Sequence, residues 1–156
     1  MSWLASVAPG DNDVDRTFGL LPDAYARFRE LYGALWNPDF LAPETLELCR
    51  SRVTRLLGAA ADDPLCGAAA GAVPAAKRAA LPAYDRSPLF SETERACIAY
   101  AEQYVLDPHG FTDADFARLR GLLDAKQIAT LTLAVAMFDA LARFRLALTG
   151  TPERAS

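Results

Sequence analysis

The sequence predicts an all-α fold, a bundle of helices that assembles as an oligomer. Apolar residues recur at spacings of three and four through most of the chain, and no segment shows the strict period-two alternation of a half-buried strand. Helix starts and stops are marked throughout by proline, glycine and capping residues. At 156 residues, with 52% apolar and 23% charged residues, the chain makes one ordinary domain that can bury a core without disulfides or a structural metal.

Residues 1–21, with Pro9, Gly10 and the polar run Asp11 to Asp15, show no sustained period and read as an extended N-terminal arm of the kind that wraps a neighbour. From Pro22, the residues Tyr25, Phe28, Leu31, Tyr32, Leu35 and Trp36 form one apolar face that ends near Asn37-Pro38. A second helix begins at Pro43, a good first-turn residue, and carries Leu46, Cys49, Val53, Leu56 and Leu57 up to Gly58. Asp62 or Asp63 then caps a short alanine-rich helix from Pro64 to about Ala72, and Pro74 and Pro82 bracket another helical piece. Residues 84–90 read as a connecting loop.

Ser91-Glu92-Thr93-Glu94 has the form of a capping box and starts a helix running to about Leu106. Asp107-Pro108-His109-Gly110 breaks it. Thr112-Asp113-Ala114-Asp115 starts the next, to about Leu123. The last helix, from about Ala125 to Thr149, stops at Gly150 with Pro152 beyond, which places the domain at 22–150 and a C-terminal tail at 151–156. That helix is apolar on most of its circumference and must be covered on nearly every side. A homo-oligomer, whether dimer, trimer or hexamer, would supply the cover.

The net charge of -4 and the scattered basic residues give no footprint for phosphate backbones, so nucleic acid is not an expected partner. No apolar stretch is expected to reach the roughly 18 residues that span a bilayer, and residues 1–10 lack a leader pattern. No membrane partner and a cytoplasmic location are expected. Cys49, Cys66 and Cys97 are odd in number and widely spaced, which suits reduced thiols. A single histidine, His109, cannot assemble the multi-histidine sets that commonly hold catalytic zinc or iron, so no metal site is expected.

Four residues are candidates for chemistry. Glu47 has Arg50 and Ser51 on its own helix face, as a solvated ion pair or, turned into a drier pocket, as a general acid or base. Asp62 is a helix cap or an acidic group at the same site. Cys66 would sit in the first turn of the alanine-rich helix, where unpaired N–H groups favour a thiolate, or be a small buried hydrophobe. His109 lies in a turn between helices, as a functional imidazole or a capping or exposed residue. Tyr32, Trp36, Tyr100, Tyr104 and Phe138 are core residues or pocket lining.

The stretch from Glu47-Leu48-Cys49-Arg50 to Leu56-Leu57-Gly58 resembles the signature helix of the carboxymuconolactone decarboxylase and alkylhydroperoxidase D (AhpD-like) superfamily. Leu89-Phe90-Ser91 with Glu94-Arg95-Ala96, Ala99-Tyr100-Ala101-Glu102, Thr112 to Phe116, and Gln127-Ile128 to Arg143-Phe144 resemble its peroxidase-related members in order and spacing. Together these cover roughly residues 22 to 150. The resemblance implies an AhpD-like helical bundle with Glu47 at the active-site glutamate. The family's two redox cysteines fall on Ala59 and Asp62, and its histidine on Cys66, so a dithiol peroxidase is not implied. What remains implied is the style of the decarboxylase branch, acid and base chemistry on a small-molecule substrate such as a lactone or other carbonyl compound, with no cofactor. The runner-up is a thiol-dependent peroxidase or reductase using Cys66 with an external resolving thiol. A third reading is a non-catalytic oligomeric binding protein.

Overall fold

Proline, glycine and capping side chains set the course of the chain in the computed structural model, which describes residues 8–62, 65 and 73–149. The helices are α1 (Asp13–Phe18), α2 (Pro22–Leu35), α3 (Pro43–Leu57), α4 (Ala75–Ala80), α5 (Glu92–Leu106), α6 (Asp113–Leu122) and α7 (Ala125–Thr149), with a 3-10 turn at Leu81–Ala83 after α4. Among the described residues there is no strand. The alanine-rich helix expected over 64–72 and the 151–156 tail lie outside the described residues.

Local chemistry explains the ends of these helices. Pro22 and Pro43 occupy first-turn positions, where a fixed φ and a missing N–H cost the helix nothing. Ser91 and Thr112 each close a full capping box, accepting from the N–H of Glu94 and Asp115, whose carboxylates reach back to the cap N–H. α3 stops at Gly58, which sits at φ 68° and returns its N–H to the Arg55 and Thr54 carbonyls.

α3 is the axis of the fold and packs most heavily against α5 and α7. Leu46, Glu47, Leu48, Cys49 and Arg50 follow one another and are all buried, so one full turn of this helix has no solvent face. Ile98, Cys97 and Ala101 from α5 and Leu131, Ala134, Val135 and Phe138 from α7 complete the core with it. Tyr32 lies against Phe28, Trp36 and Phe138, at centroid distances of 6.0 Å to each, and so belongs to the core.

Two expectations are corrected. The N-terminal segment is not extended throughout: residues 13–18 form α1, capped by Asn12, whose side chain accepts from the Asp15 N–H. Val14 is buried with Tyr25 and Leu141, the Phe18 and Phe144 rings stack at 4.0 Å, and Tyr25 donates a 2.5 Å hydrogen bond to Asp15. The segment therefore folds onto α2 and α7 of its own chain. The second correction concerns α7. Ala125–Ala147 is long and apolar enough, by length and composition, to cross a membrane, although 44% of its apolar window is buried inside the protein.

Gly58 is the sharpest local requirement, because nothing lies within 4 Å of a Cβ built there and only its left-handed φ constrains it. Gly58→Ala is expected to destabilise the protein by about 1 kcal/mol, and Gly58→Asn by less. Urea unfolding of the two variants checks this through the order of their midpoints.

Candidate functional site

Glu47 has no exposed surface, so its charge must be answered inside the protein. Arg50, one helical turn on and itself 3% exposed, meets it side-on: Nε donates to Oε2 at 2.7 Å and Nη2 to Oε1 at 2.8 Å. This bidentate geometry is the strongest form of the pair. Ser51 Oγ donates to the same Oε1 at 3.0 Å, and Arg78, arriving from α4, adds Nη1 at 3.3 Å. Arg50 Nη2 also donates to the Ala61 carbonyl at 2.9 Å. A buried carboxylate thus ties α3 to α4 directly, and to the segment after Gly58 through Arg50.

Above this network opens a cavity of about 400 Å³. Ser51, Thr54 and Arg55 of α3 form one wall, Gly58, Ala59 and Ala61 a second, and Arg78 with Leu81 a third. Glu47 lies beneath the lining and, among the described residues, reaches the cavity through Ser51 and Arg78. Thr54 Oγ1 donates back to the Ser51 carbonyl at 3.1 Å. Both hydroxyl protons are therefore committed to the protein, and their oxygens keep lone pairs available as acceptors.

The other sequence-predicted residues are placed apart. Asp62 is exposed, and its carboxylate accepts from Arg145 of α7 at 3.3 Å and 3.4 Å rather than joining the cavity. Arg145 also takes the Asp62 carbonyl at 2.7 Å and Asp13 of α1 at 3.0 Å. Burial counts against charge on Arg145, but its hydrogen bonds and charge contacts with Asp13 and Asp62 outweigh this and hold it more firmly protonated than usual. His109 is exposed in the α5–α6 turn, where its backbone N–H donates to Asp107. Cys66 lies outside the described residues.

Sequence reasoning named Glu47, Arg50 and Ser51 together from their shared face. It missed Arg55 and Arg78, which line the cavity. Arg55 was readable as one turn beyond Ser51 on the same helix. Arg78, 31 residues from Glu47 in sequence, carried no local signal. A second cavity of about 250 Å³, between α5 and α6, is lined by Phe111, Arg118 and Tyr100, the last among the aromatic residues expected as core or pocket lining, and by none of Glu47, Asp62 and His109. Among the described residues no three His, Cys, Asp or Glu side chains gather into a group able to hold a metal ion.

No family model matches the chain, and no curated protein matches it. Solved structures do. The chain aligns with ATU0492 from Agrobacterium tumefaciens, a protein of unknown function suspected to be the antioxidant-defence protein AhpD, with a TM-score of 0.68 and 16% identity over 85% of this chain and 92% of that one. It aligns with a cysteine-to-alanine variant of the debrominase Bmp8 in complex with 2,3,4-tribromopyrrole, with a TM-score of 0.74 and 19% identity over 99% of this chain and 95% of that one. The chain has the all-helical AhpD-like fold that its signature helix and the order of its later segments imply.

The two described thiols belong to the core. Burial pushes the Cys49 thiol well above its ordinary range, with the nearby Cys97 and Glu94 adding to the effect, and raises Cys97 to about 12, with Glu94 again contributing. Neither forms a reactive thiolate near neutral pH. Both folded-state values lie above the roughly 8.5 of an exposed cysteine. The native state keeps these protons, and the stability they contribute is present below about pH 8.5 and is lost as pH rises towards the folded values. With a disulfide reagent at pH 8, mass mapping should find Cys49 and Cys97 unlabelled in the native protein and labelled in denaturant. Rapid native labelling of either would show that the core opens around α3 and α5.

Proposed function

We propose that the 400 Å³ cavity is the active site of an enzyme that performs acid–base chemistry on a small organic molecule, a lactone or other carbonyl compound, using its own side chains. The observation that carries this reading is the 3.0 Å bond from Ser51 Oγ, in the cavity wall, to the buried Glu47 carboxylate. A substrate proton can pass to the Ser51 oxygen as the serine's own proton passes to Glu47. The electron pair left behind moves onto the substrate carbonyl as an enolate, beside the Arg78 guanidinium. Isomerisation and elimination begin with such a step, and decarboxylation ends with its reverse. The tribromopyrrole held by the debrominase of the same fold supports a small organic molecule as ligand.

The same reading makes the protein a cytoplasmic homo-oligomer. On the outward side of α7, Ala129, Leu133 and Ala140 are exposed and Ala136 is half-buried, a stripe at the spacing of a helix–helix seam. A second copy is the partner that would cover it. Sedimentation should give one species larger than a monomer, and Leu133→Glu should shift it to monomer with unchanged helicity. A stable wild-type monomer at micromolar concentration would refute the assembly.

Glu47→Gln is a poor first test, because it leaves Arg50 buried with a neutral partner and costs about 3 kcal/mol or more. Ser51→Ala leaves the ion pair intact. In heavy water, with a panel of small lactones and ketones, the wild-type protein should catalyse deuterium incorporation into one or more of them. Ser51→Ala should slow it by about 10²- to 10⁴-fold. Equal incorporation by the folded Ser51→Ala variant would sink the relay.

A further inference from the structure

We infer that the cavity of about 250 Å³ between α5 and α6 binds a free α-amino acid with an apolar side chain. It shares no lining residue with the cavity beside Glu47, and its ligand does not depend on the chemistry there.

The bonds that the polar lining already makes decide what a ligand must supply. Glu102 is answered from inside the protein, accepting from Arg52 of α3 and, at 2.6 Å, from the Tyr84 hydroxyl. Gln103 uses its Nε2 on the Asp107 carbonyl at 2.6 Å, and Asp115 uses its Oδ2 on the backbone N–H and the hydroxyl of Thr112 at 2.9 Å and 2.7 Å. Gln103 Oε1 and Asp115 Oδ1 accept no hydrogen bond among the described residues. Arg118, exposed and one turn beyond Asp115, makes no hydrogen bond or ion pair among the described residues. The Thr112 bonds, and then the charge of Arg118, hold the Asp115 carboxyl below its ordinary range. Two opposite charges therefore stand in one lining without closing on each other.

What stays open is one guanidinium fork and two acceptors, one of them a carboxylate. The fork matches a carboxylate, and the acceptors match an ammonium, which has donors and no lone pair. With Glu102 balanced by Arg52, the remaining charges of the lining, Asp115 and Arg118, cancel. A ligand of either sign alone leaves one of them unanswered, whereas a zwitterion answers both. Beside them Ala99, Leu106 and Phe111 present hydrocarbon, and Phe111 is braced by the Tyr100 ring at 4.9 Å. An apolar cavity of about 150 Å³ accepts a benzene ring, so the larger space here takes an apolar side chain together with its charged head. Glycine would match the charges and leave the apolar wall wet.

Phenylalanine is the probe, and three analogues separate its parts. In NMR titrations of the whole isotope-labelled chain, phenylalanine should shift amide signals of α5 and α6 saturably. Phenylalaninamide lacks the carboxylate, N-acetylphenylalanine the ammonium and glycine the apolar body, and each should bind about five- to tenfold more weakly. Arg118→Gln should weaken phenylalanine by a similar factor and erase its advantage over the amide. Asp115→Asn should erase its advantage over the N-acetyl compound, while Arg120→Gln, on the same helix but outside the lining, should change neither. Asp115 also caps α6, so if Asp115→Asn does not fold, Arg118→Gln, which leaves the cap intact, decides. No saturable shift with phenylalanine, shifts centred on Ser51 and Arg78 instead, or an unchanged advantage over the amide in folded Arg118→Gln would overturn the inference.

Discussion

The pairing of Glu47 with Arg50 is the constraint around which the molecule is arranged. A turn of helix buried on every face is ordinarily apolar, yet here it contains a carboxylate and a guanidinium with essentially no exposure. Taking two such charges out of water costs several kcal/mol each, and their attraction recovers this only when the geometry is good and further hydrogen bonds satisfy what remains. The bidentate contact, the Ser51 hydroxyl and the Ala61 carbonyl supply those conditions. Arg78 of α4 adds a second cation, beside the ion pair of Lys77 with Glu44 that also joins α4 to α3. The pair therefore does more than sit in the core: it joins α3 to the segment after Gly58 and, with the bonds of Lys77 to Glu44 and Glu94, to α4.

Arg145 does at the far end of α7 what Arg50 does in α3. It binds Asp13 of α1 and both the carbonyl and the carboxylate of Asp62, so the N-terminal helix and the segment after Gly58 are drawn to one cation. At 12% side-chain exposure, the guanidinium works in a partly dry setting where such contacts are stronger than on the open surface. Between them the two arginines grip consecutive carbonyls, Ala61 by Arg50 and Asp62 by Arg145. The wall of the cavity is held from both sides.

The legible features of the sequence were those with local causes. Pro43, Gly58, Ser91 and Thr112 act within one turn of their own position, and the helices they bound fall where their chemistry puts them. The shared face of Glu47, Arg50 and Ser51 was legible for the same reason. α1 was not, because six residues carry too few apolar positions to show a period, although Asn12 followed three residues later by Asp15 had the form of a cap. What stabilises α1 is Val14 against Tyr25 and Leu141, and Arg145 lies 132 residues from Asp13. Asp62 likewise reads as a cap or a catalytic acid, and its contact with Arg145, 83 residues away, and that of Arg78 with Glu47, 31 residues away, have no local signal.

Both grips on the cavity wall act on backbone carbonyls, and this decouples the scaffold from the chemistry. Arg50 and Arg145 would find the Ala61 and Asp62 oxygens whatever side chains those positions carried. The Asp62 carboxylate adds only an exposed contact with Arg145, of small energetic weight. Side chains at 59 and 62, where the resemblance to the peroxidase branch puts sulfur, are thus not fixed by the fold. The chain can carry alanine at one and aspartate at the other without disturbing the helices around them. The fold is determined one layer down, by Glu47 and Arg50, while the surface of the cavity is set by residues that touch that layer from outside: Ser51 through a hydrogen bond, Arg78 through an ion pair, and Arg55 by its place on the next turn of α3.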